Sequence, residues 1–242
     1  VQTHLMLSSL MKTFWKSESE TSDSGSDIIQ EAVSKVHLPR KLDSSKLAIV
    51  VKNTFSKEEC VAMIQETERK GYDKALVNAG GGRQILDTDY RRSSRCMVDS
   101  PEQAAEIWKR VKDYVPVVFN HRGTLWEVVG LNERLRFLRY SPGDFFSPHF
   151  DGCYERENGE RSFITLQLYL NEGFDGGDTT FIDIDTDATV GVTPKTGNVL
   201  IFQHDIYHSG AKVTKGLKYA MRTDVMFQRK RQQPQGDAGA DA

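Results

Sequence analysis

Cysteine is scarce in this 242-residue sequence, and the cysteines that occur lack a metal-binding spacing. Cys60, Cys96 and Cys153 are an odd number without a Cys-x-x-Cys pair. This pattern indicates neither a zinc ribbon nor a disulfide framework. It is more typical of a reducing compartment, and we expect the protein to be cytoplasmic.

Long apolar runs are also absent, and so is an excess of either charge. No uninterrupted apolar segment approaches the roughly 18 residues that a membrane-spanning helix needs, so we expect no membrane partner. Lysine and arginine total 32 against 34 acidic residues, a formal net charge of -2. This balance gives no electrostatic reason to expect nucleic acid as the main partner. Nothing in the sequence indicates an oligomeric state.

What is present divides the chain into three parts. The hydrophobic content of 38% is enough for a substantial core. The segment SESETSDSGSD at positions 17–27 has almost no side chain to bury, so it predicts a flexible linker. We therefore expect a flexible N-terminal extension over residues 1–43, one folded domain over residues 44–229 and a disordered tail over residues 230–242.

Helix signals dominate the first half of the predicted domain, and strand signals dominate the second half. Ser56 with Glu59 three residues later forms a capping box, and Ser100 followed by Pro101 marks a second helix start. From Trp126 onward, short segments rich in β-branched and aromatic residues alternate with turns, which is typical of a sandwich or barrel. The sequence predicts an α+β domain, with helices first and a double-sheet core.

Two candidate metal ligands stand one residue apart in the segment RYSPGDFFSPHFDG. On a β-strand, His149 and Asp151 would point to the same face. A non-haem iron site needs two histidines and one carboxylate on one face, so a second histidine is required. His204 and His208, which follow the apolar segment GNVLIF, are the candidates. A lone His-x-Asp is nevertheless more often a hydrogen-bonded pair than a pair of ligands.

The last predicted strand carries two cations that would share a face. Alternation along KYAMRTDVMF places Lys218, Arg222 and Asp224 on the same side. A cation ten residues beyond His208, near the mouth of a barrel, suits the distal carboxylate of a dicarboxylate cosubstrate. The bidentate geometry of a guanidinium favours Arg222 for this role, and Lys218 is the other candidate.

Together these motifs resemble those of the iron(II)- and 2-oxoglutarate-dependent dioxygenases of the prolyl 4-hydroxylase catalytic-domain type. The resemblance rests on HFD, on GGDT at Gly176–Thr179, on GNVLIF at Gly197–Phe202, on His208 and on VTKGLK at Val213–Lys218. It runs from about Leu47 to Phe227, and it implies a double-stranded β-helix (jelly-roll) core buttressed by N-terminal helices. The spacing to VTKGLK selects His208 over His204 as the distal ligand.

The resemblance also implies the cofactors and the residues that hold them. Fe(II), 2-oxoglutarate and O2 are expected, with ascorbate as a further candidate cofactor. The implied metal ligands, which are also the catalytic centre, are His149, Asp151 and His208. The implied 2-oxoglutarate residues are Lys218 (favoured by the family pattern) or Arg222, together with Tyr140 and Tyr169 unless these are ordinary core tyrosines. The expected apolar walls are Phe145, Phe146, Leu168 and Phe202.

The implied activity is hydroxylation of a C–H bond in a prolyl residue of a protein or peptide, with release of succinate and CO2. A small molecule or a free amino acid is an alternative substrate on the same fold. A zinc hydrolase with the same ligands stays open, although it gives the Lys218 segment no role, and so does a non-catalytic binding module. The segment YRRSSR at Tyr90–Arg95 resembles the family's substrate-side loop, and it is equally interpretable as a solvated basic loop.

Overall fold

The computed structural model of the protein describes residues 32–78 and 83–230. The first 31 residues of the expected extension and residues 231–242 of the expected tail lie outside these ranges. Strand pairing begins before the expected domain boundary, because Val33–Lys35 pairs antiparallel with Ala48–Val51. The prediction of a flexible extension up to residue 43 is therefore wrong for residues 33–35, whose backbone groups are satisfied by a distant segment.

The described residues are mostly β-structure. In chain order the strands are β1 (Val33–Lys35), β2 (Ala48–Val51), β3 (Asp73–Lys74), β4 (Val77–Asn78), β5 (Gln84–Ile85), β6 (Arg91–Arg92), β7 (Ser94–Asp99), β8 (Val118–His121), β9 (Thr124–Leu131), β10 (Arg134–Tyr140), β11 (Phe145–His149), β12 (Arg161–Tyr169), β13 (Asp175–Gly176), β14 (Thr179–Ile182), β15 (Thr189–Val192), β16 (Val199–Gln203), β17 (His208–Gly210), β18 (Val213–Lys215) and β19 (Lys218–Arg229).

Two large sheets dominate this architecture. The larger has ten strands, with β1, β2, β16, β12, β19, β10, β7 and β3 as successive neighbours, and β9 joins β8 to β19. The smaller has five strands in the order β15, β14, β17, β11 and β6. Strands β13 and β18 form one two-stranded pair, and β4 and β5 form another. Because residues of both large sheets line one narrow cavity, that cavity lies between the sheets.

Among the described residues there are two α-helices, α1 (Lys57–Lys70) and α2 (Pro101–Val111). Ser56 and Glu59 form the predicted capping box at the start of α1, with both reciprocal hydrogen bonds present. The Ser100 hydroxyl accepts a hydrogen bond from the Gln103 amide and caps α2, where Pro101 begins the first turn. Within residues 32–78 and 83–230, no helix combines the length and the apolar character needed to cross a membrane.

The expected fold class is confirmed only in part. The described residues are mostly β-sheet with few helices, and among them the helices do not come first. Strands β1 and β2 precede α1, and β3 to β7 separate α1 from α2. The segment YRRSSR at Tyr90–Arg95, interpretable as a loop from its sequence, is largely paired instead: Arg91–Arg92 pairs with β11, and Ser94 and Arg95 pair with β10. Such pairing satisfies the backbone of a polar segment, and hydrophobic patterning does not reveal it.

Alternation along β12 separates the two faces of the larger sheet. Ile164, Leu166 and Leu168 are fully buried in the main hydrophobic core, to which both helices contribute. Each buried leucine stabilises the fold by roughly 1.5–3 kcal/mol relative to an exposed one. Thr165 and Gln167 lie between them and face the cavity side. The apolar face thus fixes strands whose other face carries the polar site.

Candidate metal centre and active site

Strand pairing in the smaller sheet brings two histidines together. His149 ends β11 and His208 begins β17, and the antiparallel register places them directly opposite each other. Opposite residues in such a pair have Cβ atoms about 4.5–5.5 Å apart. The centroids of the two imidazole rings accordingly lie 4.4 Å apart.

Asp151, two residues beyond His149, completes the cluster. Its Oδ1 lies 3.6 Å from Nε2 of His149, and its Oδ2 lies 3.8 Å from Nε2 of His208. One donor atom from each of the three residues lies within 4.8 Å of the others. The structure therefore brings the three sequence-predicted ligands into one cluster, and His204 is not part of it.

Hydrogen bonds to backbone carbonyls define the tautomer of both histidines. Nδ1 of His149 lies 2.7 Å from the carbonyl oxygen of Ser147, and Nδ1 of His208 lies 2.9 Å from that of Ile206. Because a carbonyl only accepts, each Nδ1 carries a proton and donates it. Each Nε2 then keeps its lone pair toward the cluster, as a metal-ligating histidine requires.

Burial and charge keep Asp151 and His208 in the protonation states that bind a metal. Burial raises the pKa of the Asp151 carboxyl, but Arg222 and His208 outweigh burial and hold that pKa well below its usual range. Burial lowers the pKa of His208 to about 4, so the imidazole is neutral at pH 7. With His149, these groups match the two-histidine, one-carboxylate donor set of non-haem iron centres.

Two side chains on the larger sheet hold Asp151. The Thr165 hydroxyl donates to Oδ2 at 2.5 Å, and Nη2 of Arg222 lies 2.8 Å from Oδ1. Arg222 also donates to the Thr165 hydroxyl at 3.1 Å and lies 3.3 Å from Oδ1 of Asp224. Outer partners of this kind orient ligating carboxylates. Sequence analysis missed Thr165; its signal was a hydroxyl between the apolar residues Ile164 and Leu166 of β12.

The two candidate anchors for a carboxylate have different surroundings. Arg222 is committed to Asp151 and Asp224. Lys218 lines the same cavity and is 3% exposed, and its ammonium donates to the carbonyl oxygen of Gly177 at 2.6 Å. Within the part of the chain that the structure describes, that ammonium has no carboxylate partner. A buried, unpaired cation is costly, and an anionic ligand would offset that cost.

The two predicted tyrosines occupy different positions. Tyr140 is buried, lines the cavity, and has its ring centroid 5.2 Å from the Lys218 ammonium. Tyr169 does not line the cavity, since its hydroxyl is hydrogen-bonded to that of Thr179 at 2.8 Å. Its ring centroid lies 5.8 Å from the same ammonium. Tyr169 therefore flanks Lys218 from behind, and Thr179 reaches the cavity instead.

Only part of the expected apolar wall faces the cavity. Phe146 and Phe202 line it, and the Phe146 ring stacks on that of His149 with centroids 3.7 Å apart. The prediction for Leu168 is wrong, because strand alternation turns this residue into the main core. Phe145 is also absent from the lining, because alternation along β11 turns it away from the side that Phe146 occupies.

His204, the rejected ligand candidate, supports the site in another way. It is buried, and its Nε2 lies 3.6 Å from Oδ1 of Asp224, which is beyond hydrogen-bond distance. Its backbone carbonyl accepts a hydrogen bond from the Asp151 amide at 3.1 Å. The choice of His208 over His204 as the clustered histidine thus agrees with the geometry.

Comparisons with known proteins point to the same chemistry. Residues 135–223 match the family model of the 2OG-Fe(II) oxygenase superfamily, a range that contains every predicted site residue. A relative from Arabidopsis thaliana, "Probable prolyl 4-hydroxylase 10", is 25% identical over 202 residues, which cover 72% of this chain and 66% of the relative. The chain thus spans about two thirds of that relative's length.

Two solved structures share the fold. A viral collagen prolyl hydroxylase from Paramecium Bursaria Chlorella virus-1, in complex with 2OG, has a TM-score of 0.53 and 19% identity, over 75% of this chain and 97% of that one. A Trichoplax adhaerens prolyl hydroxylase, in complex with a peptide fragment of hypoxia inducible factor, has a TM-score of 0.55 and 15% identity, over 76% and 84% of the two chains. These two structures show the shared fold, and together with the family model and the prolyl 4-hydroxylase relative they confirm the resemblance that the sequence motifs indicated.

Proposed function

We propose that this protein is an iron(II)- and 2-oxoglutarate-dependent dioxygenase that hydroxylates a prolyl residue of a protein or peptide. The observation that carries the proposal is the cluster of His149, Asp151 and His208 in one cavity with the buried ammonium of Lys218, which forms no ion pair with any described residue. A metal site alone needs only the cluster. The buried cation beside it provides a place for a second carboxylate, as a dicarboxylate cosubstrate requires.

The protein would hold the metal through Nε2 of His149, Nε2 of His208 and the Asp151 carboxylate. When bound, Fe(II) with 2-oxoglutarate and O2 supplies the oxidative chemistry that inserts one oxygen atom into a C–H bond and releases succinate and CO2. Thr165 and Arg222 fix the carboxylate in the orientation that the histidines need. Phe146 and Phe202 contribute apolar surface to the cavity from the two facing sheets, and this surface would limit the access of water.

Lys218 is the proposed anchor of the distal carboxylate, and Arg222 is the proposed support of Asp151. Both lie on the cavity face of β19, roughly 13 Å apart along the strand at about 3.3 Å per residue. Tyr140 would flank the anchored carboxylate, and Tyr169 would keep Lys218 in place. We further propose that the two facing sheets form a double-stranded β-helix, with this anchor inside it.

The substrate class rests on the relatives. The curated relative is named as a prolyl 4-hydroxylase, and one structural neighbour is a prolyl hydroxylase that holds a peptide. A prolyl residue in a peptide is therefore the substrate that we infer for this chain. Ascorbate is a further candidate cofactor, and adding it to the reaction tests its role. The compartment in which the reaction occurs stays a prediction.

The proposal is tested by incubating the purified protein with Fe(II), 2-oxoglutarate, O2 and proline-containing peptides. We expect succinate release that a peptide stimulates, and a product heavier by one oxygen atom in mass spectrometry. His149→Ala should abolish both signals, whereas His37→Ala, which removes an exposed histidine outside the cluster, should not. Oxygen-independent hydrolysis of a substrate, or failure to bind both Fe(II) and 2-oxoglutarate, would contradict the proposal.

A further inference from the structure

A second cavity opens beside the candidate active site. Its volume of about 390 Å³ falls in the range of roughly 300–1,000 Å³ that is typical of ligand clefts. We call it the basic groove, and its walls include Lys74, Leu86, Arg91, Arg92 and Asp144. Arg91 lines both this groove and the cavity of the metal cluster, so the two spaces are neighbours.

The ring of Phe146 lies between Arg91 of the basic groove and the candidate metal ligand His149. Strand β6 pairs with β11, and the register places Arg91 opposite Phe146. The Arg91 guanidinium lies 4.5 Å from the centroid of the Phe146 ring, which itself stacks on His149 at 3.7 Å. If a peptide places one of its residues at the cluster of His149, Asp151 and His208, the neighbouring residues of that peptide would therefore lie at the basic groove.

The positive charge of the groove is not neutralised by nearby carboxylates. Among the described residues, Lys74, Arg91 and Arg92 form no ion pair; Arg91 donates to the Ser93 hydroxyl at 3.1 Å and also to the Tyr140 hydroxyl. Asp144 is the acidic residue in the lining, and its Oδ2 already accepts from the Ser141 amide at 2.9 Å. The groove therefore presents three cations against one carboxylate.

This local excess differs from the arrangement of arginines elsewhere on the surface. Arg134 pairs with Asp99 at 2.8 Å, Arg139 pairs with Glu68 at 3.0 Å, and Arg161 pairs with Glu155 at 2.8 Å. Because the whole chain carries a net charge of -2, the groove is not part of a generally basic surface. Among the described residues, Lys74 and Arg92 have no carboxylate partner, so a ligand can neutralise their charge.

We propose that the basic groove binds aspartate or glutamate side chains of a peptide substrate, next to the residue that is hydroxylated. The inference rests on the proposed function and specifies its substrate as an acidic peptide. Leu86 and Ala75 give the groove an apolar wall, which suits a peptide stem between charged side chains. Arginine and lysine side chains recognise carboxylates through charge-assisted hydrogen bonds, which are about twice as strong as neutral ones.

The test compares two peptides of equal length that carry one proline flanked by glutamate or by glutamine. With the native protein we expect kcat/KM to be about tenfold higher for the glutamate peptide, and the preference to shrink at high salt. Anaerobic binding of the same labelled peptides, with Mn(II) in place of Fe(II), should show the same order by fluorescence anisotropy. This second readout needs no turnover.

Charge variants of the groove distinguish recognition from a structural role. Arg92→Gln and Lys74→Gln should each reduce the preference for glutamate, whereas Lys52→Gln, the same change at an exposed lysine outside the groove, should leave it intact. Arg92→Glu should shift the preference toward a peptide flanked by lysine. A variant that merely misfolds would lose both peptides equally and would not exchange one preference for another.

The failure of this inference can be told apart from the failure of the proposed function. Equal hydroxylation of both peptides would overturn the acidic preference while the enzyme remains a prolyl hydroxylase. Failure to bind either peptide, or tighter binding of a phosphopeptide or a single-stranded nucleic acid, would also overturn it. Preferential binding of the glutamate peptide without succinate or hydroxylated product would uphold the groove and contradict the proposed reaction.

Discussion

The cavity face of β19 carries a cation at each end, Arg222 and Lys218, and the two cations differ in whether carboxylates surround them. At one end, Arg222 lies between the carboxylates of Asp151 and Asp224, and Arg136 reaches Asp224 at 2.9 Å. At the other end, the Lys218 ammonium donates to a backbone carbonyl and lies near two aromatic rings, and no carboxylate of the described residues forms an ion pair with it. One end is balanced within the protein, and the other is not.

This difference shows what each cation does. A buried charge whose partners are all present stabilises a fixed arrangement, here the orientation of Asp151 toward the two histidines. A buried charge that lacks a counter-ion raises the free energy of the unliganded protein, and a ligand carboxylate lowers it again. We therefore propose that the balanced end supports the candidate metal ligand Asp151 and that the unbalanced end binds the cosubstrate.

The largest expected effect concerns the metal cluster at the balanced end. His208→Ala removes one of the three ligands, so Mn(II) or Fe(II) affinity should fall by more than the roughly 10–100-fold that loss of an outer partner costs. His204→Ala, an equal deletion four residues away, should leave most of the affinity. Anaerobic calorimetric titration with Mn(II) measures both. Equal losses in the two variants would show that the balanced end binds metal in some other way.

The next effect concerns the unbalanced end. Lys218→Met keeps the volume of the stem and removes the charge, so 2-oxoglutarate affinity should fall roughly 10–100-fold, because a hydrogen bond to a charged group contributes about 1.5–3 kcal/mol. Metal affinity should stay unchanged. The measurement is the KM for 2-oxoglutarate at saturating Fe(II), with Lys218→Arg expected to retain most of the affinity. An unchanged KM would mean that the cosubstrate carboxylate lies elsewhere.

Arg222→Gln should give the reverse pattern and a smaller effect. Asp151 would lose one of its two side-chain partners but keep Thr165, so we expect metal affinity to fall about tenfold. The KM for 2-oxoglutarate, measured at saturating metal, should change little. If instead this KM rises more than in Lys218→Met, the roles assigned to the two ends are exchanged, and Arg222 is the anchor.

Most of the cluster of His149, Asp151 and His208 could be predicted, because its geometry follows from short-range rules. A period of two along a strand joins His149 to Asp151, and the spacing from His208 to Lys218 completes the motif. The same rule exposes an error in the predicted walls. Leu168 and Tyr169 are neighbours on β12, so they face opposite sides of the sheet, and Leu168 faces the core.

What the sequence could not provide were the contacts between strands. Lys218 and Arg222 share a face, so alternation alone cannot assign their roles. The assignment depends on Asp151, which β11 brings to Arg222 from another part of the chain. The same limit applies to Val33–Lys35, whose pairing with β2 is not visible in its own short, polar sequence. Alternation along a strand determines which face of the sheet a side chain occupies. Pairing between strands determines which other side chains it contacts.

The smallest effect we expect, and the one that tests the unbalanced end without a large perturbation, is a dependence on pH. Burial lowers the pKa of Lys218 from 10.5 to about 8, with Asp178 partly opposing the shift. The ammonium that would bind a carboxylate is therefore almost fully present at pH 7 and is lost as the pH rises through 8. Between pH 7 and pH 9 the affinity for 2-oxoglutarate should decline several-fold, because only the protonated fraction binds.

Lys218→Arg is the matched control, since a guanidinium keeps its proton above pH 12 and its profile should stay flat over this range. Calorimetric titration of 2-oxoglutarate into the Mn(II) protein measures both profiles. Parallel declines in the two proteins would place the titrating group outside Lys218 and leave the contrast between the two ends of β19 resting on geometry alone.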